Sequence, residues 1–129
     1  MWAALARASI QRVSRSVLIV DDHEEFRRSA RALLEAEGFE VVGEAADGAS
    51  ALIRAARLHP RLVLLDVQLP DLDGFEVAAR LSDSSDPPAV ILTSTRAASS
   101  YRRRLASAPV LGFIAKADLS PEALAALGA

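Results

Sequence analysis

Leu62-Val63-Leu64-Leu65-Asp66-Val67-Gln68-Leu69-Pro70-Asp71-Leu72-Asp73-Gly74 joins a four-residue apolar run to one carboxylate and then to a segment dense in turn formers. The same design recurs along the chain. Val17-Leu18-Ile19-Val20 runs into Asp21-Asp22, Val90-Ile91-Leu92 into Thr93, and Gly112-Phe113-Ile114-Ala115 into Lys116. Short apolar runs separated by helical patterns read as buried parallel strands of an α/β domain. The carboxyl ends of such strands share one edge of the sheet, where open α/β sheets bind ligands. Three carboxylates, one hydroxyl and one ammonium are therefore expected on a single rim, a mixture suited to a divalent cation and a phosphoryl group.

The helical patterns between these runs complete the order. Phe26, Ala30, Leu33 and Leu34 form an amphipathic stripe that Gly38 closes. Phe39 to Val42 reads as a second strand, Asp47-Gly48 as a turn, and Leu52, Ala55 and Ala56 as a helix ending before His59-Pro60. A short helix is predicted from Phe75 to Leu81, with a loop over 83–88. Ala97, Ala98, Tyr101 and Leu105 outline a fourth helix. Ser120-Pro121-Glu122 opens a last one, with serine at the cap and proline at the first helical position. A βα unit repeated five times, with right-handed crossovers, gives a doubly wound sheet with helices on both faces.

The chain has 129 residues, enough for one domain with a real core, and a net charge of −2, which by itself indicates neither nucleic acid nor a membrane surface. It has no cysteine, which excludes disulfides, thiolate metal sites and thiol nucleophiles. No apolar stretch approaches the roughly 18–20 residues of a membrane span. Lys and Arg total 15, yet Lys116 is the sole lysine. It falls at a strand mouth, where a compact point charge differs from a planar fork. Residues 1–15 stand apart: Met1 to Val20 holds no acid, three arginines (Arg7, Arg12, Arg15) and many alanines. The expectation is a mobile leader over 1–15 and one domain over 16–129; a targeting peptide and an extra partner-binding helix are the alternatives.

Asp21, Asp22 and Asp66 brought together repel one another, and a hard cation such as Mg²⁺, which takes oxygen ligands, resolves the conflict. A lone Asp after a strand also serves as a cap or turn former, and Thr93 as a β-branched strand end. His23 reads as a solvent-facing residue at a helix start, against a metal-ligand or phosphorylatable alternative. Arg102-Arg103-Arg104 reads as a solvated face and a candidate interface, although consecutive helical positions cannot all face one flat partner.

Asp21-Asp22, Asp66, Leu69-Pro70, Gly74, Thr93, Phe113 and Lys116, in this order and at these separations, resemble the receiver domain of bacterial two-component response regulators, over residues 17 to about 127. The resemblance implies a flavodoxin-like sheet of order 2-1-3-4-5. It implies Asp66 as phospho-acceptor, Asp22 as direct Mg²⁺ ligand, Asp21 as a ligand through water, and the Gln68 backbone carbonyl as a further ligand. Lys116 would pair with Asp66 and then with a phosphoryl oxygen. Thr93 would donate its hydroxyl to another, with Phe113 changing rotamer. Gln68 and Thr95 occupy positions that, by the same resemblance, would border the phosphoryl group, where the family tunes dephosphorylation.

A sensor histidine kinase or histidine phosphotransfer protein is the implied donor. The face of the fourth helix, fifth strand and fifth helix is the implied contact for a downstream protein. A cytoplasmic, non-enzymatic signalling switch follows, which assists its own phosphorylation and dephosphorylation. Two features depart from the common pattern: Ala117 follows Lys116 where many members have proline, and the last helix is short. No linker, helix-turn-helix or catalytic output follows within the chain, so a single-domain receiver, or one separated from its effector, is expected. The rival readings are a phosphorylation-independent scaffold of the same fold and a Mg²⁺-dependent phosphatase with an Asp nucleophile. The phosphatase would need a second Asp where Gln68 stands.

Overall fold

The computed structural model describes residues 15–129. The leader reading over 1–14 lies outside the described residues. Arg15, its last member, belongs to the folded part: its guanidinium donates to the Glu37 carbonyl at 2.6 Å and stacks over the Phe39 ring.

Strands β1 (Ser16–Val20), β2 (Glu40–Ala45), β3 (Leu62–Asp66), β4 (Ala89–Ser94) and β5 (Gly112–Ala115) form one parallel sheet of order β2-β1-β3-β4-β5. This is the order that the resemblance implied. Helices α1 (Glu24–Ala36), α2 (Gly48–Leu58), α3 (Gly74–Ser82), α4 (Arg102–Ser107) and α5 (Pro121–Ala126) connect and flank the strands.

Alternation along each strand splits the core into two layers. Leu18, Val20, Val63, Leu65, Val90 and Leu92 pack toward Ala51, Ala55, Val77 and Ala78 of α2 and α3. Val17, Ile19, Leu62, Leu64 and Ile91 pack toward Ala30 and Leu34 of α1 and Leu124 of α5. The phase of this alternation matters for function. Asp21 continues the set of Val17 and Ile19, Asp66 that of Leu62 and Leu64, Thr93 that of Ile91, and Lys116 that of Ile114. All four side chains consequently emerge at one end of the layer shared with α1 and α5.

Local chemistry sets the helix limits. Glu24 and Glu25 in the first turn of α1 complement its dipole, and Gly38 follows the helix at φ +87°, a conformation that favours glycine. Helix α2 stops at Leu58 before Pro60, with His59 left-handed. Ser120 caps α5 by accepting the Ala123 N–H at 3.1 Å, with Pro121 in its first turn.

Three expectations are corrected. Asp47-Gly48 is not a free turn: Asp47 caps α2 by accepting the Ser50 N–H, and Gly48 is already helical. The second strand runs to Ala45, three residues past Val42, because Asp21 N–H continues the ladder onto the Ala45 carbonyl. The fourth helix is split: Ala98–Tyr101 is a 3₁₀ turn and only Arg102–Ser107 is α-helical. No side-chain cap organises that entry, and the tighter turn takes its place.

The segment after β3 doubles back. Gly74 N–H donates to the Val67 carbonyl at 2.8 Å, and Gln68 and Asp73 form an isolated antiparallel bridge. A Cβ at Gly74 would collide with the Asp66 carbonyl oxygen and stand 2.8 Å from Val67 Cα. Glycine is required here by backbone-to-backbone approach. Gly74→Ala should therefore destabilise the domain by about 1–3 kcal/mol, read as a lower urea midpoint at unchanged slope. An unchanged midpoint would show that the backbone relaxes at no cost.

Candidate functional site

The strand ends deliver their polar residues into a small space at the carboxyl edge. Asp66 pairs in register with Thr93 across β3 and β4. Asp21, Asp66 and Thr93 are buried, whereas Asp22 and His23 are exposed. One oxygen each from Asp21, Asp22 and Asp66 and one nitrogen of His23 lie within 4.8 Å of one another. Such a hard, carboxylate-rich donor set suits a divalent cation of the magnesium kind.

Lys116 faces this group from the end of β5. Its Nζ lies 2.6 Å from Asp21 Oδ2 and 3.3 Å from Asp66 Oδ2, with the Phe26 ring of α1 against the ammonium. The expected pairing with Asp66 is present, but the shorter contact is to Asp21. A single ammonium is thus shared between two buried carboxylates. Its compact charge bridges them in a way that a planar guanidinium would not reproduce.

Burial pushes the Asp66 carboxyl up from 3.8 to about 6, and the neighbouring Asp21 charge adds to the rise. Lys116 and the Gln68 N–H, which donates to Asp66 Oδ1 at 3.2 Å, act in the opposite direction without cancelling it.

Thr93 is fully buried, and its Oγ1 has no hydrogen-bond partner. Buried hydroxyls nearly always find one, so an orphan beside a carboxylate calls for a functional explanation.

A supporting layer fixes the cradle. Arg27 donates to the Asp21 carbonyl at 2.7 Å and to Glu44 at 2.9 Å, and Arg31 holds the second Glu44 oxygen at 2.8 Å. Burial acts upward on Glu44, but the bonds from Arg31 and Arg27 outweigh it and hold the carboxyl below its ordinary value. On the loop after β3, Asp71 accepts the Gly48 and Ala49 N–H groups at 2.7 and 2.9 Å, which keep its carboxyl below the usual range. Asp73 caps α3 through the Phe75 N–H and takes Arg104 at 2.8 Å.

Arg104 also lies over the Phe75 ring. All three arginines of the triplet are exposed, and Arg104 braces the start of α3 from the surface. Tyr101 is buried between Phe75 and Phe113, with ring centroids 5.8 and 5.7 Å away, and its hydroxyl meets Ser94 Oγ at 2.8 Å.

Asp21, Asp22, Asp66, Thr93 and Lys116 are thus brought together. Phe113 stands one layer back in the aromatic stack, and Gln68 and Thr95 are exposed beside the rim. The reading of the sequence missed the bracing by Arg27, Arg104 and Asp71. Only the turn-rich character of 69–74 signalled the last of these.

A parallel α/β sheet carrying this rim belongs to a defined class. The response regulator receiver domain family matches residues 17–127, and the chain belongs to it. Among curated relatives, the virulence-factor transcription regulator BvgA of Bordetella pertussis is 42% identical over 100 residues, covering 78% of this chain and 48% of BvgA. PdtaR of Mycobacterium tuberculosis, a transcriptional regulatory protein, is 41% identical over 83 residues, covering 64% of this chain and 40% of its own length. The chain thus spans about half the length of BvgA, and less of PdtaR. Among solved structures, the NarL receiver domain of M. tuberculosis superposes with a TM-score of 0.75 at 31% identity, covering 88% of this chain and 95% of that one. The chemotaxis regulator CheY4 of Vibrio cholerae gives 0.75 at 26% identity, covering 86% and 92%.

Two stability predictions follow from the buried groups. The folded-state value of Asp66 lies above the unfolded one, so its ionised form opposes folding. That opposition is complete above about pH 6 and fades as pH falls toward 4. Without divalent cation, Asp66→Asn should stabilise the domain by about 1–3 kcal/mol at pH 7.5, and the gain should shrink through that window. A pH-independent difference in denaturant midpoints would contradict this. Thr93→Val replaces the orphan hydroxyl by a methyl of similar shape and should raise stability by about 1–2 kcal/mol. A lowered melting temperature would mean that the hydroxyl is satisfied in solution.

Proposed function

We propose that this chain is a phosphoryl-accepting switch that takes its phosphoryl group onto Asp66 from the phosphohistidine of a sensor kinase or phosphotransfer protein. In the transfer an Asp66 oxygen attacks phosphorus, the phosphorus–nitrogen bond breaks, and the donor imidazole leaves and recovers a proton. Covalent carboxylate catalysis of this kind needs positioning and charge neutralisation more than acid–base chemistry.

Each rim residue has a part. Asp21 and Asp22, with Asp66 and the Gln68 carbonyl, would hold Mg²⁺, with Asp22 the direct carboxylate ligand and Asp21 acting through water. The cation, when bound, neutralises negative charge on the phosphoryl oxygens. Lys116 moves from its shared position between Asp21 and Asp66 to a phosphoryl oxygen. Thr93 donates its hydroxyl to another. The added charge of about −1.5 to −2 at neutral pH draws the β4 end inward. Phe113 and the exposed surface of α4, β5 and α5 then present a different face to a downstream protein.

The observation that carries this reading is the Thr93 hydroxyl, fully buried, without a partner, and paired in register with Asp66. A phosphoryl oxygen on Asp66 is the acceptor that it lacks.

Incubation with acetyl phosphate and Mg²⁺ should add the mass of one phosphoryl group, and Asp66→Asn should abolish the adduct. Lys116→Arg should retain the fold but label or respond to partner at least tenfold less well, since the guanidinium does not fit the point contact. Continuous turnover of a phosphomonoester would instead indicate a phosphatase, and no labelling at all a scaffold.

A further inference from the structure

Phe26 ends the apolar stripe of α1 on the side of the rim. Ala30 and Leu34, one and two turns further along, are completely buried in the layer beneath, whereas Phe26 is only partly buried. Its ring centroid lies 4.6 Å from Lys116 Nζ, within the range at which an aromatic face attracts an ammonium. The next residue, Arg27, ties the start of α1 to the Asp21 carbonyl at 2.7 Å, so the ring stands on an anchored helix end.

The two carboxylates alone do not account for the place of the ammonium. Lys116 donates to Asp66 Oδ2 at 3.3 Å, a long hydrogen bond, and its 2.6 Å approach to Asp21 Oδ2 is an ion pair outside hydrogen-bond angles. The Lys116 side chain is only 12% exposed, which leaves little water to hold the rest of the ammonium. The Phe26 ring takes that place. It differs from the acids in a way that matters for chemistry. The carboxylates attract by charge, and phosphoryl transfer redistributes the charge at Asp66. A neutral ring attracts the ammonium in the same way before and after.

We propose that Phe26 is a positioning residue for phosphoryl transfer: its ring face holds the Lys116 ammonium toward Asp66 and is the fixed wall along which Nζ passes from the carboxylate to a phosphoryl oxygen. This rests on the reading of Asp66 as the acceptor. Phe26 acts through Lys116 and not on the phosphoryl group itself. Without the aromatic face the ammonium settles on Asp21, its nearer partner, and is withdrawn from the oxygen where charge must be neutralised.

The test follows phosphorylation of the full chain by acetyl phosphate with Mg²⁺ in wild type, Phe26→Leu, Phe26→Met and Phe26→Tyr. Leucine and methionine keep an apolar side chain without a π face, and tyrosine keeps the face. Isotopically labelled lysine is incorporated in parallel. Lys116 is the only lysine in the sequence, so the magnetic-resonance spectrum reports this side chain alone, and the ring beside it displaces its signal. Phe26→Leu and Phe26→Met should label about three- to tenfold more slowly, the size of a partly desolvated cation–π contact. In both, the Lys116 signal should move toward that of a free lysine. Phe26→Tyr should label within about twofold of wild type, with the signal in place.

Equal rates in wild type and Phe26→Leu would overturn the proposal, and Phe26→Met decides the point should the leucine variant lose its fold. An equal slowing in Phe26→Tyr would overturn it too, by leaving Phe26 a packing residue. So would a slowing without movement of the Lys116 signal, since the effect would then not pass through the ammonium. If wild type takes up no phosphoryl group, the acceptor reading falls and this role falls with it. Unaltered rates in the variants of a wild type that does label remove the role alone, so the two failures are distinguishable.

Discussion

One ammonium shared by two buried carboxylates is the constraint around which this molecule is organised. Lys116 lies between Asp21 and Asp66, both nearly inaccessible, with Asp22 beside them at the surface. Burial, with the Asp21 charge added to it, pushes the Asp66 carboxyl up against the pull of Lys116. In an interior where effective screening is weak, such a cluster persists only because the surrounding sheet and helices fix its members. The ionised form of Asp66 is held there at a cost in stability.

The elements around the cradle are arranged so that a local change has a route outward. Thr93 and Ser94 are consecutive on β4, facing opposite layers. The first stands unbonded next to Asp66, and the second holds the Tyr101 hydroxyl at the entry to α4. Tyr101 in turn packs between Phe75 at the start of α3 and Phe113 on β5. Arg104 joins α4 back to Asp73 and Phe75. A displacement of the β4 end would thus alter the packing of α4 directly. That region begins with a 3₁₀ turn and lacks the side-chain cap that Asp47 gives α2. The NarL and CheY4 receiver domains share the fold of the chain.

The loop between Asp66 and Gly74 shows how much of the site lies in backbone rather than side chains. Gly74 is needed because its α-carbon packs on the peptide of Asp66. Asp71 anchors the loop to the start of α2, and Asp73 both caps α3 and receives Arg104. These carboxylates are structural, although their residue type is that of the acidic rim only a few positions away. Residue identity alone does not separate the two roles; distance to Asp66 does.

The amino-acid order by itself determined the strand sequence, the doubly wound class and the members of the rim, because burial on both faces of a parallel sheet leaves continuous apolar runs and because polar residues at their ends have only one edge to occupy. Caps at Ser120 and the stop at Gly38 were legible for the same local reason. Only the tertiary structure decided that Lys116 sits closer to Asp21 than to Asp66, that Thr93 is left without a partner, that His23 turns back onto the acids, and that Arg104 reaches Asp73 and the Phe75 ring across the surface. Each depends on side-chain packing between segments remote in the chain, and periodicity within one segment carries no information about the distance to another.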